Sequence, residues 1–508
     1  MSVKIIQGGA VLKTAEPQDG DNLLKLLGRS GVFLDAPCGG LGKCGKCKVR
    51  LSSGGEEVRA CQTPADGVAE VHIPGEMKME IAGDDGQIIG GGQSKPGRLG
   101  VAIDVGTTTV VAHLTDMDSG ARLASASGVN AQRPYGADVV SRIEFSAEYG
   151  HERLSALITE QINGLIAQAC AKSGSDSRDI ELVVIAGNTI MQHLAAGYSP
   201  VGMGTVPFRP VSLFGEFLPP WQGLPAGKDA RVYYCPCVSS YVGGDITAGM
   251  LACGLEDDPG PTVFIDIGTN GEIAMKLGDK YYCCATAAGP AFEGAEISCG
   301  MAAVNGAVSH VNWDEESGKL RTTVLGEAAP QGFCGSGLLD ALSMLLITGA
   351  VDETGRMLSS EEIEHPIREH IGKLGGETVF FLDREREVYL SSRDVRKLQL
   401  AKSAIASGIQ TLLITAGVAN AQVRSFVLAG GFGSYMDKFS AAKIGLFPAE
   451  FLPITRSLGN TAGEGAAIAL TQPDRRAVLE RIDDKCEYIE LSTSPIFNDE
   501  FVENMMFE

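Results

Sequence analysis

The stretch Val101-Ala-Ile-Asp-Val-Gly-Thr-Thr-Thr-Val-Val-Ala returns as Val263-Phe-Ile-Asp-Ile-Gly-Thr-Asn-Gly-Glu-Ile-Ala, with six of twelve positions identical at an offset of 162 residues. Each copy reads as an apolar strand, a Gly/Thr turn and a second strand. The duplication therefore predicts two related lobes, each opening on such a hairpin. Inside the copies, Asp104-Val-Gly106-Thr107-Thr108 and Asp266-Ile-Gly268-Thr269-Asn270-Gly271 put a carboxylate at a strand end, followed by small and hydroxyl residues. Small residues let backbone N–H groups approach phosphate oxygens, and Thr hydroxyls add donors. A carboxylate from each lobe, facing one cleft, suits hydrated Mg²⁺. Either copy alone could be an ordinary buried hairpin; the pair points to a nucleoside triphosphate held between lobes.

Three further segments fit that arrangement. Ser425-Phe-Val-Leu-Ala-Gly430-Gly431-Phe-Gly433 reads as a strand entering a glycine turn on which a purine and ribose can lie. Gly243-Gly-Asp245-Ile-Thr-Ala-Gly249 and Gly459-Asn-Thr-Ala-Gly463-Glu-Gly465 open small-residue helices able to cross closely. Around them, from Leu99 onward, short buried strands alternate with amphipathic helices, the pattern of an α/β unit. Residues 99–250 and 251–472 are expected to form the two lobes.

The first 76 residues differ in character. They read as strand, strand, helix, Cys-rich loop and strands, with Cys38, Cys44, Cys47 and Cys61 spaced C-x5-C-x2-C-x13-C. Four thiolates can hold a 2Fe–2S cluster, and the intervening glycines let N–H groups turn toward its sulfides. A four-Cys zinc site is the competing reading, but zinc usually brings two C-x2-C pairs and only Cys44 and Cys47 form one. Gly40 to Lys46 also matches glycine-rich nucleotide motifs. Neither match holds, because a β-prone segment follows and Cys47 stands where a phosphate loop needs Ser or Thr. The remaining nine cysteines are scattered and read as neutral core thiols.

Residues 77–98 carry Gly-rich, aperiodic sequence expected of a flexible linker. Residues 473–508 form an acidic tail that either packs back on a lobe or stays loose. Lys plus Arg number 42 against 63 Asp plus Glu, a net charge of −21 that disfavours nucleic acid and anionic membrane surfaces. The N-terminus has no basic, apolar leader, and no apolar run reaches the ~18 residues of a membrane span. A soluble, cytoplasmic protein is expected.

The loop of four cysteines resembles those of plant- and adrenodoxin-type ferredoxins, whose fold is a β-grasp, although its 13-residue final interval is shorter. The five glycine-rich segments, in their order over residues 99–472, resemble the acetate and sugar kinase, Hsp70 and actin superfamily with its two-lobed RNase H-like fold. That resemblance implies Asp104 and Asp266 as the magnesium and phosphate carboxylates. It makes Gly106, Thr107 and Thr108, with Gly268, Thr269, Asn270 and Gly271, the phosphate cradles. It places adenosine on Gly430, Gly431 and Gly433, and offers Asp245 either to orient an attacking water or as a helix N-cap.

Taken whole, the chain resembles reductive activators of corrinoid methyl-transfer proteins. Ala186-Gly-Asn-Thr-Ile-Met-Gln-His193, Gly289-Pro-Ala-Phe-Glu-Gly294 and Phe333-Cys-Gly-Ser-Gly337 add to the likeness. The family returns oxidised Co(II) corrinoid to Co(I), so the resemblance implies a 2Fe–2S cluster, ATP and Mg as cofactors. It implies a corrinoid protein of a methyltransferase system and a low-potential electron donor as partners, and leaves a homodimer open. Plant-type clusters sit near −400 mV, and the cobalt couple lies lower. At ~59 mV per 1.4 kcal/mol, a deficit of ~150 mV would need roughly 3.5 kcal/mol, within the reach of one ATP. Nucleotide could act by releasing the reduced partner or by exchanging the cobalt's axial ligand. A small-metabolite kinase with a redox-sensing module is the alternative, and would yield a phosphorylated product.

Overall fold

The computed structural model describes residues 2–507 apart from 31, 33, 35–39, 41, 43, 44, 46, 53, 54, 74–96, 137, 269, 295, 434 and 435. Cys38, Cys44, Thr269 and residues 77–96 of the expected linker thus lie outside the described residues.

The N-terminal unit holds β1 (Val3–Gln7), β2 (Ala10–Ala15), α1 (Leu23–Arg29), β3 (Lys48–Arg50), β4 (Glu57–Arg59) and β5 (Glu70–Ile73). Its sheet order is β2-β1-β5-β3-β4, with β1 and β5 parallel and the other pairs antiparallel, as a β-grasp requires. Asn22 caps α1 by accepting from the Lys25 N–H, and Leu23, Leu26 and Leu27 then share one face at helical spacing. They close a core of their own with Val3, Ile5, Val49 and Val71.

The next unit runs β6 (Leu99–Val105), β7 (Thr109–Asp116), β8 (Arg122–Val129), α2 (Val139–Tyr149), α3 (Glu152–Ser173), β9 (Ile180–Gly187), α4 (Thr189–Ala196), β10 (Glu216–Leu218), β11 (Arg231–Tyr234) and α5 (Gly244–Ala252). The last begins with β12 (Thr262–Ile267), β13 (Gly271–Leu277) and β14 (Lys280–Thr286). It continues through β15 (Ala307–Asp314), β16 (Lys319–Val324), β17 (Gly332–Phe333), α6 (Gly335–Ile347), β18 (Ile371–Leu374), β19 (Glu377–Asp383), β20 (Val388–Ser391) and α7 (Ser392–Ala416). It ends with β21 (Ser425–Ala429), α8 (Gly430–Gly433), α9 (Lys438–Lys443), β22 (Thr455–Ser457), α10 (Thr461–Thr471), α11 (Pro473–Lys485), β23 (Cys486–Tyr488) and α12 (Pro495–Glu503).

The two copies of the repeat become equivalent hairpins in two sheets, ordered β10-β11-β9-β6-β7-β8 and β22-β21-β12-β13-β14-β23. In each sheet the repeat's first strand pairs antiparallel with its hairpin partner and parallel with a later strand, β9 or β21. Strands β6 and β12 are buried along nearly their whole length except at Asp104 and Asp266. Continuous apolar sequence is what a central strand covered on both faces needs.

The lobes meet through α5 and α10. A Cβ on Gly465 would fall 1.9 Å from the Ala248 carbonyl oxygen, and one on Gly249 would fall 2.7 Å from the Phe264 ring. Backbone touches backbone at this crossing. Beside it Val184, Tyr233, Phe264, Val427 and Leu470 pack with Leu479 of α11 in one shared core. The acidic segment after Pro473 is folded onto this body: β23 adds a parallel strand to β14, and α12 packs on α7. Ser403 Oγ donates to the Phe501 carbonyl at 2.6 Å, and Lys402 Nζ to that of Met506 at 2.6 Å.

Gly465→Ala is expected to destabilise the two-lobed body by about 1–3 kcal/mol through overpacking of the crossing. Gly164→Ala, inside α3 with nothing within 4 Å of the new Cβ, should instead gain roughly 0.5–1 kcal/mol. Urea unfolding of both variants reads the difference.

Candidate functional site

In the N-terminal unit the hairpin β3–β4 explains the short final interval of the cysteine motif. Cys47 immediately precedes β3, Cys61 follows β4, and the Ala60 N–H donates to the Cys47 carbonyl at 2.7 Å. The hairpin's open end therefore brings the backbone of Cys47 against Ala60, next to Cys61, and both cysteines are buried. Asn22 Nδ2 donates to the Cys61 carbonyl at 3.0 Å, tying this end to the start of α1. Of the residues between Ala36 and Cys47, Gly40, Gly42 and Gly45 have φ of 90°, 77° and 68°, a region L side chains avoid. A Cβ on Gly42 would come 2.6 Å from the Gln62 amide. Arg59 Nη1 holds the Gly42 carbonyl at 3.1 Å. Two buried thiols beside left-handed glycines suit a cysteine-ligated cluster.

Between the lobes, Asp104 and Asp266 stand at the ends of β6 and β12, each still accessible on one side. Asp245, in the first turn of α5, joins them. The N-cap of α5 is Gly243, and the Asp245 carboxylate accepts from the Ile246 N–H at 2.9 Å. Glu272, opposite Asp266 on β13, is a fourth carboxylate that the sequence reading did not single out. No Lys or Arg among the described residues is ion-paired with any of the four.

The electrostatics follow from that composition. Burial raises Asp104 to about 7, against the hydrogen bond from Asn460 and with added repulsion from Asp266. Burial alone raises Asp266 to about 6. Asp245 is raised by burial and then by the charges of Asp266 and Asp104; Glu272 rises well above its usual range through burial, then Asp245 and Asp266. Gathered carboxylates without counter-charge disfavour their own ionisation. Among the described residues no three of these side chains are placed as direct ligands of one ion, so the counter-charge that suits them is a divalent cation held through its water shell. Asn460, at the N-cap of α10, donates to Asp104 Oδ2 at 2.8 Å and so links the helix crossing to the carboxylates.

The phosphate-cradle candidates lie at this junction. The Gly106 N–H closes the first turn on the Thr109 carbonyl at 3.0 Å, and a Cβ there would sit 2.7 Å from that oxygen. In the second copy the Gly268 N–H donates to the Asn270 carbonyl at 2.9 Å. Gly271 begins β13, where a Cβ would meet Thr286 Oγ1 at 2.9 Å and Ile405 at 3.2 Å. Gly430 has φ of 86°, and its Cβ would lie 2.4 Å from Asp266 Oδ1. Gly431 has no atom within 4 Å of that position, and Gly433 packs on Leu428. Phe432, in the same turn, stacks on Phe292 with centroids 5.4 Å apart. Of the scattered cysteines, Cys235, Cys237, Cys283, Cys284 and Cys334 are buried, and burial pushes the Cys237 thiol up to about 12.

Comparison with known proteins gives three matching family models. Residues 10–66 match a 2Fe-2S iron-sulfur cluster binding domain, 99–258 the RACo middle region, and 260–508 the C-terminal domain of RACo, the ASKHA domain. The chain is 37% identical over 425 residues to the corrinoid activation enzyme RamQ of Eubacterium limosum, covering 80% of this chain and 70% of that one. It is 25% identical over 447 residues to a Co(II) methylated amine-specific corrinoid protein reductase of Methanosarcina barkeri, covering 78% and 75%. The solved structure of a reductive activator for corrinoid, iron-sulfur protein superposes with a TM-score of 0.70 at 29% identity, covering 99% of this chain and 98% of that one.

Asp266→Asn removes one unbalanced charge. Without Mg²⁺ the variant should melt above wild type at pH 8; the gap should start to narrow as pH falls through about 6, where the folded carboxyl takes its proton, and close only below the ordinary carboxylate range, where the unfolded chain is protonated too. With Mg-ATP the order should reverse, since only wild type gains full ligand stabilisation. Scanning calorimetry reads both.

Proposed function

The chain belongs to the RACo family of reductive activators of corrinoid proteins, and from that premise we propose how its residues divide the work. The activity is ATP-dependent reduction of a Co(II) corrinoid protein to Co(I) for methyl transfer, with electrons entering through a 2Fe–2S domain. Cys38, Cys44, Cys47 and Cys61 would hold the cluster, which when bound supplies one-electron transfer at low potential. Gly40, Gly42 and Gly45 supply left-handed backbone near the cluster, Arg59 holds the Gly42 carbonyl and Asn22 that of Cys61.

In the two-lobed body, Asp104 and Asp266 would hold hydrated Mg²⁺, with the turns Gly106–Thr108 and Gly268–Gly271 on the phosphates and Gly430–Gly433 under adenosine. Asp245, which caps no helix, orients an attacking water. Glu272 holds its charge or proton beside it and receives a hydrogen bond from the Asn270 side chain. Asn460 fixes one oxygen of Asp104, leaving the other for the cation's water. The carboxylate cluster without counter-cations carries this reading. It is filled from both lobes at once, so nucleotide bound there draws on both, and the α5–α10 crossing is where they pivot. We place the protein in the cytoplasm, where its many thiols stay reduced; no helix among the described residues is long and apolar enough to cross a membrane.

Two variants separate the halves. After anaerobic reconstitution, Cys61→Ser should lose cluster absorbance and corrinoid reduction while still binding Mg-ATP. Asp245→Asn should keep the cluster and nucleotide binding but lose about 10²–10⁴-fold in ATP hydrolysis, the span of a lost general-base contribution. Wild-type iron content and reduction rate in Cys61→Ser would refute the ligand assignment, and wild-type hydrolysis in Asp245→Asn would refute the water-orienting one.

A further inference from the structure

Arg142 of α2 is fully buried, yet no carboxylate is ion-paired with it. Its guanidinium donates to the Thr107 carbonyl at 2.6 Å, the Gly136 carbonyl at 2.9 Å, Gln132 Oε1 at 3.2 Å and the Met191 sulfur at 2.7 Å. A buried cation without a counter-ion is costly, so its retention behind a turn assigned to phosphate asks for a reason. Gly136 clears its path: a Cβ there would lie 2.8 Å from the Arg142 nitrogen and 2.9 Å from its Cγ. Asp138, the N-cap of α2, acts on it as an opposing charge, and Arg133 as a like one. Burial still pulls the guanidinium down to about 9, leaving it cationic at neutral pH.

The turn's carbonyls are pinned from this same side. Asn130 Nδ2 donates to the Gly106 carbonyl at 2.8 Å, and the Asn130 N–H donates to the Thr108 carbonyl at 2.8 Å. In a trans peptide the carbonyl and the next N–H point in opposite directions. Holding the Gly106 and Thr107 carbonyls from behind therefore aims the Thr107 and Thr108 N–H groups the other way. Neither finds an acceptor among the described residues. Two convergent N–H groups backed by a buried positive charge form an anion site.

We propose that Arg142 is a positioning residue for the nucleotide's phosphates: with Asn130 it turns the Gly106–Thr108 backbone into a donor surface, and its charge complements the polyphosphate from behind. This rests on the assignment of that turn to phosphate made above. It predicts an effect confined to the phosphate part of the ligand, which loss of general packing would not produce.

The test is calorimetric titration of the reconstituted full-length protein with Mg-ATP and with adenosine. Arg142→Gln should weaken Mg-ATP at least tenfold and leave adenosine within twofold, while Arg142→Lys should recover part of the loss. Asn130→Ala should shift the same ratio and serves if Arg142→Gln fails to fold. If wild type binds Mg-ATP and the ATP-to-adenosine ratio is unchanged in the folded variants, the role of Arg142 is overturned. If wild type binds no Mg-ATP, the nucleotide reading falls first and takes this one with it.

Discussion

Four neighbouring carboxylates, none of them ion-paired with a Lys or Arg among the described residues, dominate the two-lobed body. Asp104 and Asp266 come from strand ends in different sheets, Asp245 from the helix that joins them, and Glu272 from the strand beside Asp266. Burial, then mutual repulsion, disfavours the ionised form of this group. The surrounding framework has to hold it against that tendency. Asn460 restrains Asp104, Gly430 lets the backbone lie against Asp266, and the glycine-to-carbonyl crossing of α10 on α5 leaves no slack between lobes. On the proposed assignment, a cation with its nucleotide would relieve the repulsion by drawing on both lobes, and occupancy would then be coupled to the relation between them.

The N-terminal unit meets a different demand with similar means. Beside the proposed cluster ligands Gly40, Gly42 and Gly45 supply left-handed backbone that other residues avoid. The compact β3–β4 hairpin then brings the last cysteine back over a short interval. One-electron chemistry thus resides in a small unit with its own core, and nucleotide chemistry in a body with another. The uphill step to Co(I) needs both.

Much of this was legible in the amino-acid order because it rests on local pattern. The duplicated strand-turn-strand located Asp104 and Asp266, and the small residues of α5 and α10 announced a close crossing. Gly335-Ser336-Gly337 begins a helix, as such a turn suggests. Glu272 was passed over although the signal existed: aligning the two copies sets it against Val110, a charge where its counterpart is apolar. Arg142 gave no signal, since one Arg in an amphipathic helix is indistinguishable from a solvated one until the fold buries it. The strand Glu57–Arg59 is too short for alternation to show. The pairing of Cys486–Tyr488 with β14 is a parallel contact across some two hundred residues, and so invisible to local reading.

Nucleotide held by the carboxylate cluster is proposed to make electron transfer from the iron–sulfur unit to cobalt feasible. The most direct test is optical: the reconstituted protein is mixed anaerobically with a Co(II) corrinoid protein and a low-potential reductant, with and without Mg-ATP, and the Co(I) absorption band is followed. The band should grow only when Mg-ATP is present. Growth at the same rate without nucleotide would contradict the claim.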